Sequence, residues 1–166
     1  GDGKTTTALN LAGALAQSPE ARVLLIDADL RRPTVDERLG RQDGNINGLA
    51  DAVIQPSLTL QGVTSRDETL NLSVLSAGHS SRPSYEILKS PRFRTLLEEA
   101  RRLYDYIVLD TPPLIPVSDC RLIDKLVDGF FVVVGAHKTP RKLVQEALAL
   151  VTEEKILGLV FNGGDP

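Results

Sequence analysis

Two short apolar runs that each end in aspartate, Arg22-Val23-Leu24-Leu25-Ile26-Asp27 and Tyr106-Ile107-Val108-Leu109-Asp110, constrain this chain more than any other feature. Neither alternates apolar with polar residues, so each reads as a strand covered on both faces, the environment of a parallel sheet. Parallel strands need crossovers, and helical patterns of the required length lie along the chain. From Lys4 to Gln17, Ala8, Leu11, Ala12 and Leu15 recur at helical spacing and form a core-facing stripe. Ser90-Pro91 marks a second helix start, Ser as N-cap and Pro at the first helical position, and Phe93, Leu96, Leu97, Ala100 and Leu103 carry its stripe. Strands are expected at Gly129 to Gly135 and Ile156 to Asn162, and helices from Ser118 to Val127 and after Thr139-Pro140. The less regular stretch between Thr34 and Ser81 contains a short helix from Leu49 to Ile54 and a strand from Asn71 to Leu75. The pattern predicts an α/β fold, a mostly parallel sheet flanked by helices, whose ligands bind beyond the carboxyl ends of the strands.

With 166 residues, 42% of them hydrophobic, the chain supports one core, so residues 1–166 read as a single domain. A net charge of -3, with Lys and Arg spread along the chain, argues against nucleic acid as a ligand. The apolar runs fall far short of the ~20 residues of a bilayer-spanning helix. Cys120 is the only cysteine, which excludes an intrachain disulfide and fits a reducing cytosol; it reads as a small residue near a helix start. His79 and His137 lack a second ligand at metal spacing and read as surface residues. The opening GDGKTTT has no initiator methionine, signal peptide or strand ahead of it, and the chain stops just after a strand-like run; both ends read as cut.

Three motifs carry chemistry. Gly1-Asp2-Gly3-Lys4-Thr5 is the latter half of G-x-x-x-x-G-K-S/T, in which backbone N–H groups at a helix N-terminus cradle phosphates. Lys4 would neutralise phosphate charge and the Thr5 hydroxyl would ligate Mg²⁺, with Thr6 continuing the cradle. A glycine-rich linker ahead of Lys-Thr has the same spelling. In Leu24-Leu25-Ile26-Asp27-Ala28-Asp29-Leu30-Arg31-Arg32-Pro33, two carboxylates one residue apart at a strand end are suited to holding a metal or accepting a proton; an acidic loop capping an exposed strand end is the alternative. The third run delivers Asp110, an acid placed to hold Mg²⁺ directly or through water. All three in this order point to a nucleotide. Arg31 and Arg32 read equally as phosphate or subunit contacts and as solvated arginines. Tyr104 and Tyr106 read as core or half-buried residues flanking a strand start.

The combination GDGKTTT, LLIDADLRRP and YDYIVLDTPP resembles the bacterial tyrosine kinases that control capsule or exopolysaccharide export, as does PVSDCRLIDKLVDGFFVVVGAHKTPRKLVQEALALV. Arg82 to Ser90 is similar to the family's P-x-E-L-L-x-S stretch, with Ile87 where Leu is usual. The resemblance implies a P-loop fold lacking here the strand before the P-loop, and an ATP-dependent autokinase that uses Mg²⁺. It implies catalytic roles for Lys4, Asp27, Asp29 and Asp110, with Asp27 as the base. Metal contacts are implied at Thr5, Asp27 and Asp110, nucleotide contacts at Gly1, Asp2, Gly3, Lys4, Thr5 and Thr6, and an adenine contact at Asn162. It further implies a homo-oligomer phosphorylating in trans, a membrane-spanning polysaccharide copolymerase or activator, fused or separate, and a cytoplasmic location at the inner face of the membrane. A nucleotide-switched positioning ATPase of the same fold is the alternative, as is a non-catalytic module that gates export. Without the upstream half of the cradle, weak ATP binding is expected of these 166 residues alone.

Overall fold

The computed structural model describes residues 2–41, 47–114 and 120–163, with the backbone alone at Cys120. Helix α1 (Lys4–Leu15) leads into β1 (Val23–Asp27), α2 (Val35–Arg38), α3 (Leu49–Ile54) and α4 (Leu60–Val63). Next come β2 (Ser65–Asp67), β3 (Leu72–Leu75), α5 (Ser84–Lys89), α6 (Pro91–Leu103) and β4 (Tyr106–Asp110). The chain ends with α7 (Cys120–Asp124), β5 (Phe130–Gly135), α8 (Arg141–Leu148), a 3-10 turn at Glu153–Lys155 and β6 (Ile156–Asn162).

The strands are mostly parallel, as expected. β1 lies between β3 and β4, parallel to both, with β2 antiparallel on the outer edge of β3, and β5 pairs with β6 in a second, two-stranded parallel sheet. β1 is apolar from Val23 to Ile26, where helices cover both of its faces. Leu24 and Ile26 point into one cluster with Phe93, Leu96 and Ala100 of α6, while Val23 and Leu25 point into another with Ala8 and Ala12 of α1. Side chains that alternate in direction but are buried on both sides favour apolar residues at successive positions.

The same expectation for β4 holds only in part. It pairs with β1 on one side, and between its other edge and β5 lies a cavity of about 620 Å³ lined by Ala8, Leu11, Ile107, Leu109, Phe130 and Phe131. Tyr106, expected to be packed, is therefore 48% exposed, whereas Tyr104 is partly buried against the core.

Local signals were obeyed unevenly. α6 begins where Ser90-Pro91 places it, and the Ser90 hydroxyl accepts from the Arg92 N–H at 3.1 Å. At Thr139-Pro140 the N-cap is Pro140, so Thr139 stands one residue outside the reach of a capping hydroxyl; its Oγ1 accepts instead from the Gly135 N–H at 3.2 Å, closing the turn after β5. The helix expected from Ser118 is seen as α7 from Cys120 to Asp124, residues 118 and 119 lying outside the described residues. His79 and His137 are exposed, as expected. Among the described residues no helix is long and apolar enough to cross a membrane.

Candidate active site

β1 and β4 run in register, and their last pair is Asp27 opposite Asp110. Two carboxylates thus meet at one end of the sheet, exposed to only 1% and 2%. Neither is bare. Asp27 Oδ1 accepts from the Asp29 N–H at 3.1 Å, and its Oδ2 accepts from the N–H groups of Thr34 and Val35, each at 3.1 Å. Asp27 thereby anchors the first turn of α2, which otherwise has no side-chain cap. Burial pushes Asp27 up to about 7, against those backbone donors and with the Asp110 charge adding to the rise. Burial also raises Asp110; the Thr5 hydroxyl opposes this, Asp29 adds to it, and the charges of Lys4 and Arg38 oppose it further.

α1 opens at the same place. Gly3 is its N-cap, in the left-handed region at φ 88°, and the Gly3 carbonyl accepts from the N–H of Thr7 at 2.9 Å and from its hydroxyl at 3.0 Å. Ahead of that bond the N–H groups of Lys4, Thr5 and Thr6 are the donors that helix geometry leaves without an intrahelical partner. The Thr5 hydroxyl donates to Asp110 Oδ2 at 2.5 Å and lies 3.0 Å from the Thr34 hydroxyl. Asp29 is half-buried, and its Oδ1 accepts from the Arg32 N–H at 3.2 Å. On the opposite side, the Asn162 amide donates to the Asp2 carbonyl at 3.0 Å.

The structure therefore gathers Asp2, Gly3, Lys4, Thr5, Asp27, Asp29 and Asp110 at one strand end with α1 pointing its N-terminus into them; Thr6 follows on α1, and Asn162 arrives from β6. Gly1 lies outside the described residues. Arg31 and Arg32 are exposed beside the site. Thr34 and Arg38 were not singled out in the sequence; they arrive through α2, a helix of four residues too short to leave a periodic signal.

The donor set suits a hard divalent cation. Thr5, Asp27 and Asp110 offer oxygen only, and burial above all, with the neighbouring carboxylates adding, disfavours the bare charge of Asp27 and Asp110, which a dication would stabilise.

A glycine-lysine-threonine turn opening a helix that leads into a parallel strand defines a P-loop ATPase, and residues 1–121 match the AAA domain family. The chain is 38% identical over 165 residues to tyrosine-protein kinase YwqD of Bacillus subtilis (strain 168), a match covering 98% of this chain and 68% of that protein. It is 35% identical to the succinoglycan biosynthesis transport protein ExoP of Rhizobium meliloti (strain 1021), where 99% of this chain spans 21% of the relative. Its fold overlays the VpsO kinase domain with a TM-score of 0.91 at 35% identity, covering 99% of this chain and 80% of that one. The chain belongs to the bacterial tyrosine-protein kinases, as its motifs implied.

Proposed function

We propose that residues 1–166 form the catalytic domain of an ATP-dependent protein-tyrosine autokinase acting in capsular or exopolysaccharide synthesis and export. The observation that carries this reading is the convergence of Lys4, Thr5, Asp27 and Asp110 where α1 begins, a buried acidic site fronted by backbone donors and a cation. The N–H groups of the loop and first turn bind the β- and γ-phosphates, and Lys4 offsets their charge as it spreads over the equatorial oxygens. Mg²⁺ held by Thr5, Asp27 and Asp110 would supply charge neutralisation at the phosphates. A tyrosine oxygen attacks the γ-phosphorus, the bond to the β–γ bridging oxygen breaks, ADP departs, and Asp27 takes the phenolic proton. Burial pushes the Asp27 carboxyl up to about 7 in the metal-free chain and Mg²⁺ beside it would draw it down, so the role of base rests on the place of Asp27 at the strand end opposite Asp110. Asp29 adds negative charge beside Asp110 and fixes the loop through Arg32.

The substrate tyrosines are assigned to a second copy acting in trans, as the family resemblance implies; Tyr106, 48% exposed, stands at the opposite end of β4 from Asp110. The match to a fifth of a transport protein supports a membrane-spanning partner, fused or separate, and work at the cytoplasmic face of the membrane. The test is transfer of γ-labelled phosphate in the full-length protein. Label is expected in phosphotyrosine, with Lys4→Ala and Asp110→Asn each lowering it at least ~10²-fold; label recovered only as free inorganic phosphate would mark a nucleotide switch instead.

A further inference from the structure

Asn162 closes β6 at the end of the two-stranded sheet, yet its side chain reaches the phosphate loop. Nδ2 donates to the Asp2 carbonyl at 3.0 Å, joining residues 160 apart in sequence. The tip of β5 supports the same contact. Gly135 is the register partner of Asn162, the Ala136 N–H donates to the Asn162 carbonyl at 2.8 Å, and a Cβ on Gly135 would sit 3.2 Å from Asp2 Oδ1. The fit at Gly3 is closer still: a Cβ there would fall 1.8 Å from Asn162 Nδ2 and 2.7 Å from its Cγ. Glycine at position 3 therefore provides two things, the left-handed φ of 88° and the space in which the asparagine amide lies.

A planar trans peptide points its carbonyl and its N–H in opposite directions. Holding the Asp2 carbonyl toward Asn162 thus turns the Gly3 N–H away from Asn162 and fixes the direction of the first donor ahead of α1. Thr5 holds the other end of the loop to β4 through Asp110 at 2.5 Å, so the loop is pinned to both sheets, which do not pair with each other among the described residues.

We propose that Asn162 is a positioning residue for phosphate binding: its amide locks the Asp2–Gly3 peptide so that the loop presents its N–H groups to a polyphosphate, whatever base that polyphosphate carries. The proposal rests on the reading of the loop as a triphosphate site, and it differs from the adenine contact that the family resemblance implies, because a brace acts on phosphate and a base contact on adenine.

The full-length protein is titrated with Mg·ATP, Mg·GTP and inorganic tripolyphosphate, comparing wild type with Asn162→Ala and with Asn162→Leu, which keeps a similar size without charge and cannot donate. Loss of one hydrogen bond corresponds to roughly a fivefold weakening. A brace predicts that all three ligands weaken by the same factor in both variants, with KM for ATP rising more than kcat falls. Should Asn162→Ala fold poorly, Asn162→Leu carries the comparison. A loss for ATP exceeding that for tripolyphosphate by more than threefold assigns Asn162 to the base and overturns the proposal, as does unchanged affinity for all three ligands. Failure of the wild type to bind both ATP and tripolyphosphate would instead sink the triphosphate reading itself.

Discussion

Thr5 gives its hydroxyl proton to Asp110, Oγ1 to Oδ2 at 2.5 Å, across a sequence separation of 105 residues. A hydroxyl has one proton, so the 3.0 Å contact between Thr5 and Thr34 must be donated by Thr34. That leaves one lone pair on Thr5 Oγ1 for a cation, aimed by two partners.

Substitutions along this chain of hydroxyls therefore grade the metal requirement. Thr5→Ala removes the oxygen and is expected to raise the Mg²⁺ concentration for half-maximal autophosphorylation by roughly 10–100-fold, while Thr5→Ser stays near wild type. Thr34→Val removes only the orienting donor and should fall between them. A Mg²⁺ titration of phosphotyrosine formation checks the order; an unchanged requirement in Thr5→Ala would separate Thr5 from the metal.

Asp27 makes stability depend on pH. Its carboxyl is held near 7 in the folded chain against about 3.8 unfolded, so the folded state binds the extra proton between those values. Stability from this group is present below about pH 4 and lost as pH rises through about 7. Relative to Asp27→Asn, which does not titrate, the wild type should lose on the order of 2 kcal/mol between pH 5.5 and 8 in the absence of metal and nucleotide. Urea unfolding of both proteins at the two pH values measures this difference. It is insensitive to the hydrogen bonds that the amide rearranges, because those losses are common to both conditions.

The strand-end acids were legible because a buried parallel strand rarely holds a charge before it ends; a single Asp closing an apolar run is then conspicuous, as at Asp27 and Asp110. The helix stripe through Phe93 and Ala100 was legible for a similar reason, since periodicity reports a face. Thr34 and Arg38 had no such signal: their place depends on Asp27 seizing the N–H groups of Thr34 and Val35 after an irregular turn. The bond from Asn162 to Asp2 depends on how β6 lies against the loop, and no local pattern encodes a contact between chain ends.

The core that carries β1 and β4 rests on α6. Phe93 is fully buried beneath the sheet, and Phe93→Ala is expected to cost about 3–5 kcal/mol in unfolding free energy. Ser90→Ala removes only the N-cap acceptor for Arg92 and should cost about 1 kcal/mol. Denaturant midpoints of the two variants test the ratio, and equal costs would mean that α6 is anchored by its cap more than by its aromatic face.

Diffraction from crystals of the full-length protein grown with ADP and Mn²⁺, recorded for the anomalous signal of manganese, reaches the heart of the account. One peak within ligand distance of Thr5 Oγ1 and beside the carboxylates of Asp27 and Asp110, with the diphosphate against the N–H groups of Gly3 to Thr6, is the predicted result. Manganese or diphosphate bound away from these residues would contradict the convergence on which the kinase reading stands.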